Sequence, residues 1–554
     1  MTNLRLALCL PILSSLMALS GCASKGPTVN RVDNDTKTPP PANREFRAAW
    51  VATVGNIDWP SKKGLTAQQQ QQEAIAILDK SVDLNMNAIV LQVRTSADAL
   101  YKSDIEPWSE FLTGEQGKDP GYDPLQFWID ESHKRGLELH AWFNPYRAMY
   151  GGGDKTKRSK DHIWNTNRAI VKEYGNMLWM DPGEKAAQDI TVDVFMDVVK
   201  RYDVDGIHVD DYFYPYRVSD ENNKPVDFPD AESWKKYQES GGQLSRGDWR
   251  RENINRTMKE VYERSHRLKP WVKFGISPFG LPRPNEIGTV QGFDQYEELY
   301  ADAKLWLNEG WLDYWTPQLY WKPNEPQLYY VDLLRYWIDE NTQNRHVWPG
   351  IFTTRIKDGG SRQFETYDLL NQVWLTQQTP GASGHVHFSM KGLMRDRHGI
   401  SSALIDGPYR DEALVPASPW LDDKAPPKPN RVRSGPVDDT GKPSTQPILS
   451  SGRYPAGDEP ATYPSTRAAT QPTRKKLWTG RSVTWEAAKG EAAWLYTVYS
   501  KHGTRWDMKV VPGDELSTVV YDDAALGPIS MVYVSSVDRC GNESGRVKAH
   551  DRKE

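Results

Sequence analysis

The sequence predicts an α/β fold: a (β/α)8 TIM barrel followed by a Pro-rich linker and a small all-β sandwich. Three observations carry the prediction. From residue 46 onward, short apolar runs alternate with longer amphipathic stretches, as βα units do. A stretch crowded with proline, residues 416–474, then breaks the pattern. After it, short strand-like runs return, separated by Gly, Asp and Pro turns.

Taken in order, residues 1–22 read as an address and not as part of the fold. Arg5 is their one charge, and the apolar run from Leu6 to Leu19 is short for a membrane span. It ends in Leu19-Ser20-Gly21-Cys22, which resembles a bacterial lipobox, so Cys22 is the expected lipidation site. Residues 23–43 are polar, end in PPPAN and read as a flexible tether. The expected barrel spans 44–415. Its strands are expected at 46–54, 87–93, 137–143, 205–210, 272–277, 312–319, 347–352 and 384–388. Helices are expected at 69–84, 125–135, 189–201, 253–268 and 302–308, with Gly136 and Gly310 as stops. A doubly wound open sheet would want a Gly-rich nucleotide turn after its first strand, and the sequence has none. Residues 475–554 are expected to form a fibronectin type III-like β-sandwich, with strands at 482–485, 494–500, 504–511, 517–522 and 529–537. This module reads as a separable arm, without which the barrel should fold and work.

The chain has 554 residues with 69 Lys and Arg against 74 Asp and Glu, a net charge of -5 that does not point to a nucleic-acid binder. Its three cysteines, Cys9, Cys22 and Cys540, provide no disulfide framework. With 22 Trp and 26 Tyr, it has the aromatic surface to fill a large core and also to line a sugar-binding cleft.

In such a barrel, reactive side chains project from the C-terminal strand ends and the loops that follow. The segment DGIHVDDYFYP, 205–215, is the richest. Alternation turns His208 and Asp210 inward together, with Asp211, Tyr212 and Tyr214 just beyond. HAWFNPYR contributes His140, Trp142, Asn144, Tyr146 and Arg147. LQVRTSADALYKS contributes Gln92, Arg94 and Asp98, and DYWTPQLYW contributes Gln318, Tyr320 and Trp321. Glycoside hydrolysis usually needs two carboxyls, one giving a proton and the other acting as nucleophile or base. Asp210 is the expected nucleophile or base, held ionised by His208 and Arg94. Asp98, Asp211 and Asp302 are the candidate proton donors.

Several long segments resemble glycosyl-hydrolase-like family 10, which includes DigH-type bacterial envelope lipoproteins. They are FRAAWVATVGNIDWPS (46–61), residues 119–147, DGIHVDDYFYP, FGISPFG (274–280) and YADAKLWLNEGWLDYWTPQLYW (300–321). The resemblance covers residues 44–400. It implies a barrel hydrolase of the cell envelope acting on peptidoglycan glycan strands that lack stem peptides. The residues named above other than Arg94 and His208, with Tyr300, fall on the family's motif positions. It also implies an envelope or divisome protein partner, while the lipobox implies attachment to the membrane through lipid at Cys22, and Ala23 in place of Asp after that cysteine favours the outer membrane, facing the periplasm, in a Gram-negative cell. No cofactor and no metal are expected. Two rival readings remain. A metal-dependent hydrolase could draw on His140, His208, Asp210, His385 and His387, although the first strand lacks a His-x-His. A non-catalytic glycan-binding scaffold would use the same aromatic and polar groups.

Overall fold

The computed structural model describes residues 36–323, 330–437, 479–490 and 492–551. The address segment 1–22 with Cys22, the first part of the tether and the stretch 438–478 lie outside the described residues.

Seven barrel strands are continuous: β1 Phe46–Val51, β2 Ala88–Arg94, β3 Glu138–Phe143, β4 Gly206–Val209, β5 Lys273–Ile276, β6 Tyr314–Trp315 and β8 Gly384–His387. The remaining strand, β7, comes in two pieces, His346–Val347 and Gly350–Ile351. Between them stands Pro349, which has no N–H to give to a ladder. The first piece pairs with β6 and the second with β8, all in parallel. The nine segments of the sheet are thus eight strands, and β7 closes it. The Trp348 amide reaches the Trp315 carbonyl at 2.8 Å, while the Val386 amide reaches Pro349 at 3.0 Å.

The helices start and stop where local chemistry directs. Thr66 and Gln69 form a capping box for Ala67–Asp83, Asp123 caps Pro124–His133 with proline in its first turn, and Gly310 ends Ala303–Glu309 at φ 68°. The larger core lies between sheet and helices. A second fills the barrel interior with Phe46, Trp50, Trp142, Tyr314 and Trp348. Gly275 is required there, because a Cβ would stand 1.9 Å from the Tyr314 ring. An inserted three-stranded sheet, Arg147–Met149, Val171–Tyr174 and Met177–Met180, follows β3 and has no counterpart in the sequence expectations.

The C-terminal part is all-β, in two four-stranded sheets. One holds β9 Asn430–Pro436, β10 Gly480–Glu486, β13 Ser517–Tyr521 and β16 His550–Asp551. The other holds β11 Leu495–His502, β12 Arg505–Pro512, β14 Ile529–Val537 and β15 Val547–Lys548. This revises the expected linker. β9 lies inside 416–474 and pairs antiparallel with β10, so residues 438–478 connect two strands of one sheet instead of joining two domains.

Nor does the module hang free. It sits against the N-terminal ends of the barrel strands. Arg539 pairs with Asp203 just before β4, and Lys273 at the start of β5 reaches the Arg539 carbonyl at 3.3 Å. Leu414 packs with Leu495 and Val537, and the Val510 amide donates to Glu412 at 2.6 Å. The opposite pole, where the strands end, is the mouth of the barrel.

Candidate active site

Asp210 and Asp211 leave the end of β4 side by side, each only 6% exposed. Their surroundings differ. Asp211 is fully engaged: the Tyr216 hydroxyl donates to one oxygen and the Gln318 amide to the other at 3.2 Å. Burial pushes its carboxyl up, against those two bonds. Asp210 has only long or poorly aligned contacts among the described residues, from the Asn144 amide at 3.4 and 3.5 Å, from the Tyr212 N–H at 3.5 Å and from the Trp142 indole. Burial first, and the neighbouring Asp211 second, push Asp210 up to about 7, with Arg147 opposing. Two buried adjacent carboxyls cannot both ionise cheaply. The better hydrogen-bonded one, Asp211, keeps the charge, and Asp210 holds its proton until pH rises through about 7.

The β3 loop supplies a guanidinium, Arg147, that opposes both shifts. Arg147 donates to the Thr95 carbonyl at 2.9 Å and lies 4.9 Å over the Tyr212 ring. Asn144 accepts from the Arg147 amide at 3.1 Å. The loop itself is held by Arg94, which donates to the carbonyls of Asn144 and Pro145 at 2.6 and 2.7 Å and to Glu106 at 2.8 Å. Arg94 thus props the site from beneath and keeps no donor for a sugar.

Around the carboxyls, inward positions at successive strand ends hold buried polar atoms with no well-aligned partner among the described residues. They are Gln92 Nε2, Trp142 Nε1, Ser277 Oγ and Thr316 Oγ1, from β2, β3 and the ends of β5 and β6. Unpaired buried donors cost free energy unless a ligand or water meets them, so they mark where hydroxyls would bind. Tyr320, 4.6 Å from Phe352 and 6.1 Å from Phe388, forms an apolar wall beside them. Trp321 is half-buried and packs over Gly280, where a Cβ would meet its ring at 2.8 Å.

Other expected site residues belong to the framework. His208 accepts from the Trp50 indole at 3.1 Å and meets the Tyr314 hydroxyl at 3.1 Å. Tyr314 meets His140 at 2.8 Å, His140 meets Glu138 at 2.9 Å, and Lys273 pairs with Glu138 at 2.9 Å. This chain runs down the barrel interior and uses both nitrogens of both histidines. Burial keeps His208 neutral, so it does not hold Asp210 ionised. Tyr146 donates to Thr257 at 2.8 Å, and Tyr214 packs between Phe228 and Tyr300. Asp302 caps its helix through Leu305 N–H at 3.4 Å. Asp98 uses one oxygen in a turn with Thr95 and Ser96, while the other has no partner among the described residues. His385 and His387 both point out of the barrel onto the Tyr409 hydroxyl. Among the described residues no cluster of His, Cys, Asp or Glu is arranged to hold a metal ion.

The sequence reading missed Tyr216, Ser277, Thr316, Phe352 and Phe388. Tyr216 stands one residue past the quoted DGIHVDDYFYP run, and Ser277 and Thr316 lie two residues beyond Gly275 and Tyr314 on the same inward face.

The glycosyl hydrolase-like 10 family model matches residues 45–365. The chain belongs to that family. It is 42% identical over 400 residues to a glycosyl hydrolase, YngK, of Bacillus subtilis, covering 71% of this chain and 77% of that protein. It is 35% identical over 418 residues to the glycosyl hydrolase DigH of Escherichia coli K12, covering 70% of this chain and 93% of DigH. Among solved structures, the catalytic domain of a Paenibacillus polymyxa β-amylase aligns with a TM-score of 0.45 at 10% identity, over 67% of this chain and 98% of that one. The family match spans all of the site described above except Phe388.

Proposed function

We infer that this member of glycosyl hydrolase-like 10 cleaves glycosidic bonds in cell-wall glycan, with peptidoglycan strands stripped of stem peptides as its substrate. The observation that carries the reading is the unequal pair at the end of β4. Asp210, buried and poorly hydrogen-bonded, is a proton donor suited to a leaving sugar oxygen. Asp211, held by Tyr216 and Gln318, is the ionised partner that steadies developing positive charge. Gln92, Trp142, Ser277 and Thr316 would meet hydroxyl and acetamido groups, and Tyr320 and Trp321 offer ring faces to sugar C–H surfaces. Asp98, with one unpartnered oxygen, is the further carboxyl near the mouth. The protein works from the cell envelope, anchored by lipid at Cys22.

The test is release of soluble sugar from amidase-treated peptidoglycan, read by mass spectrometry. Wild type should release fragments and Asp210→Asn should lose about 10²–10⁴-fold, the usual worth of general acid catalysis. Binding without release by the wild type would favour the glycan-binding scaffold. Equal release by both proteins would remove Asp210 from the chemistry. For the anchor, Cys22→Ser should move the protein from the membrane to the soluble fraction.

A further inference from the structure

The face of the β12-β11-β14-β15 sheet that points away from the sandwich core holds a segment of the chain's own N-terminal region. The Trp506 indole and the Lys501 ammonium donate to the Thr36 carbonyl at 3.3 and 3.0 Å. The Tyr533 hydroxyl donates to the Lys37 carbonyl at 3.1 Å. Arg546 donates to the carbonyls of Pro39 and Pro40 at 2.8 and 2.6 Å. Four carbonyls in a five-residue stretch are therefore captured by side chains, and these bonds use none of its amides.

That pattern fits the composition of the segment. Pro39, Pro40 and Pro41 have no N–H, so such a run offers only carbonyls to a partner. Proline also holds the backbone close to its bound shape beforehand, so little entropy is lost on docking. The receiving side is organised for it. Strand pairing sets Lys501 opposite Trp506 and Tyr499 opposite Tyr533, which puts all four on one face. The Arg546 guanidinium lies 4.2 Å over the Tyr499 ring and is fixed by Glu543 at 3.0 Å. Beyond the prolines, Ala42 packs against the Leu414, Leu495 and Val537 cluster, and Arg44 donates to the Gly541 carbonyl at 2.7 Å. The chain then enters β1.

We propose that this aromatic and basic face is a docking groove for the proline-rich segment 36–41, and that the dock fixes the point where the N-terminal region leaves the folded body. That point lies on the sandwich, and the sandwich covers the barrel pole opposite Asp210. A pull on the N-terminal region would thus be borne by the base, leaving the mouth turned away from it. The dock itself does not depend on lipid at Cys22 or on hydrolysis.

The test is limited trypsin cleavage at the Lys37–Thr38 bond in the full chain carrying Cys22→Ser. A double variant, Trp506→Ala with Arg546→Ala, should be cut there at least tenfold faster than the parent. A second variant on the other side of the contact, with alanine at Pro39, Pro40 and Pro41, should speed up likewise while leaving the groove intact. Amide exchange at Thr38 and Ala42 should rise in both, and sugar release from soluble glycan should be unchanged. Unchanged cleavage in both variants would overturn the dock. So would a parent chain whose Thr38 and Ala42 amides exchange as fast as those of an isolated 36–44 peptide.

Discussion

Replacing Asp210 with asparagine should stabilise the protein while disabling it, and the stabilisation should depend on pH. Asp210 is 6% exposed, and its carboxyl is pushed from 3.8 up to about 7, by burial first and by Asp211 second. A rise of that size is worth about 4 kcal/mol, at about 1.4 kcal/mol per pH unit. The sign follows from where the proton prefers to be. The folded state binds it more tightly than the unfolded chain does. Asp210 therefore costs nothing below pH 3.8 and costs progressively more as pH rises toward about 7, with no further change above that. Asparagine has the same shape and no charge to bury. The gap in unfolding free energy between Asp210→Asn and wild type should therefore widen from pH 4 to pH 7 by up to about 4 kcal/mol and then level off. Urea midpoints at half-unit pH steps would measure it. Sugar release by the wild type should decline as pH rises through about 7, because the donor loses its proton there. A stability gap that stays flat across this range would refute the assignment of the proton to Asp210.

Tyr216→Phe removes a donor from Asp211, so the acid limb of the pH–rate profile should move to higher pH and stability should fall by about 1 kcal/mol. Arg94→Met leaves Glu106 buried without its partner and frees the Asn144–Arg147 loop. Unfolding midpoints should report a loss of about 3–5 kcal/mol, and sugar release should fall with it. Truncation after residue 415 uncovers Leu414, Glu412 and Lys273 at the barrel base. Size-exclusion chromatography should show association of the truncated protein, and its thermal transition should be lower than that of the full chain.

The barrel was legible because its signals are local. Every expected strand has a counterpart within a few residues, since each is an apolar run bounded by turn residues. The helix 253–268 was cut short at its start because Arg246–Glu252 is too polar to read as helix, yet Trp249 and Arg250 bury themselves against the body. The first sandwich strand was missed for a related reason. NRVRSGP shows weak alternation and sits among prolines, and its partner β10 comes only after a long connection. Pairing at such a distance leaves no periodic trace. In the site, the sequence gathered Asp210, Asp211, Asn144, Arg147 and Gln318 at the C-terminal strand ends and the loops that follow them. It did not separate them from Arg94, His140 and His208, which stand on the same faces.

What separates the two groups is how far each side chain's bonding capacity is already used within the fold. Arg94 spends its donors on Glu106 and two loop carbonyls, and His208 and His140 spend both ring nitrogens on Trp50, Tyr314 and Glu138. A saturated buried group lowers the cost of its own burial and holds its neighbours in place, but it has nothing left for a substrate. Gln92, Trp142, Ser277 and Thr316 are as deeply buried and remain unsaturated, and each lost hydrogen bond carries a penalty of about 1–3 kcal/mol. Four such atoms around one pair of carboxyls form a costly arrangement, and a folded protein tolerates it where an incoming hydroxyl or amide relieves it. Residue type sets which chemistry a position can perform. The unspent hydrogen bond shows which positions are free to perform it, and that depends on neighbours dozens of residues away in the chain.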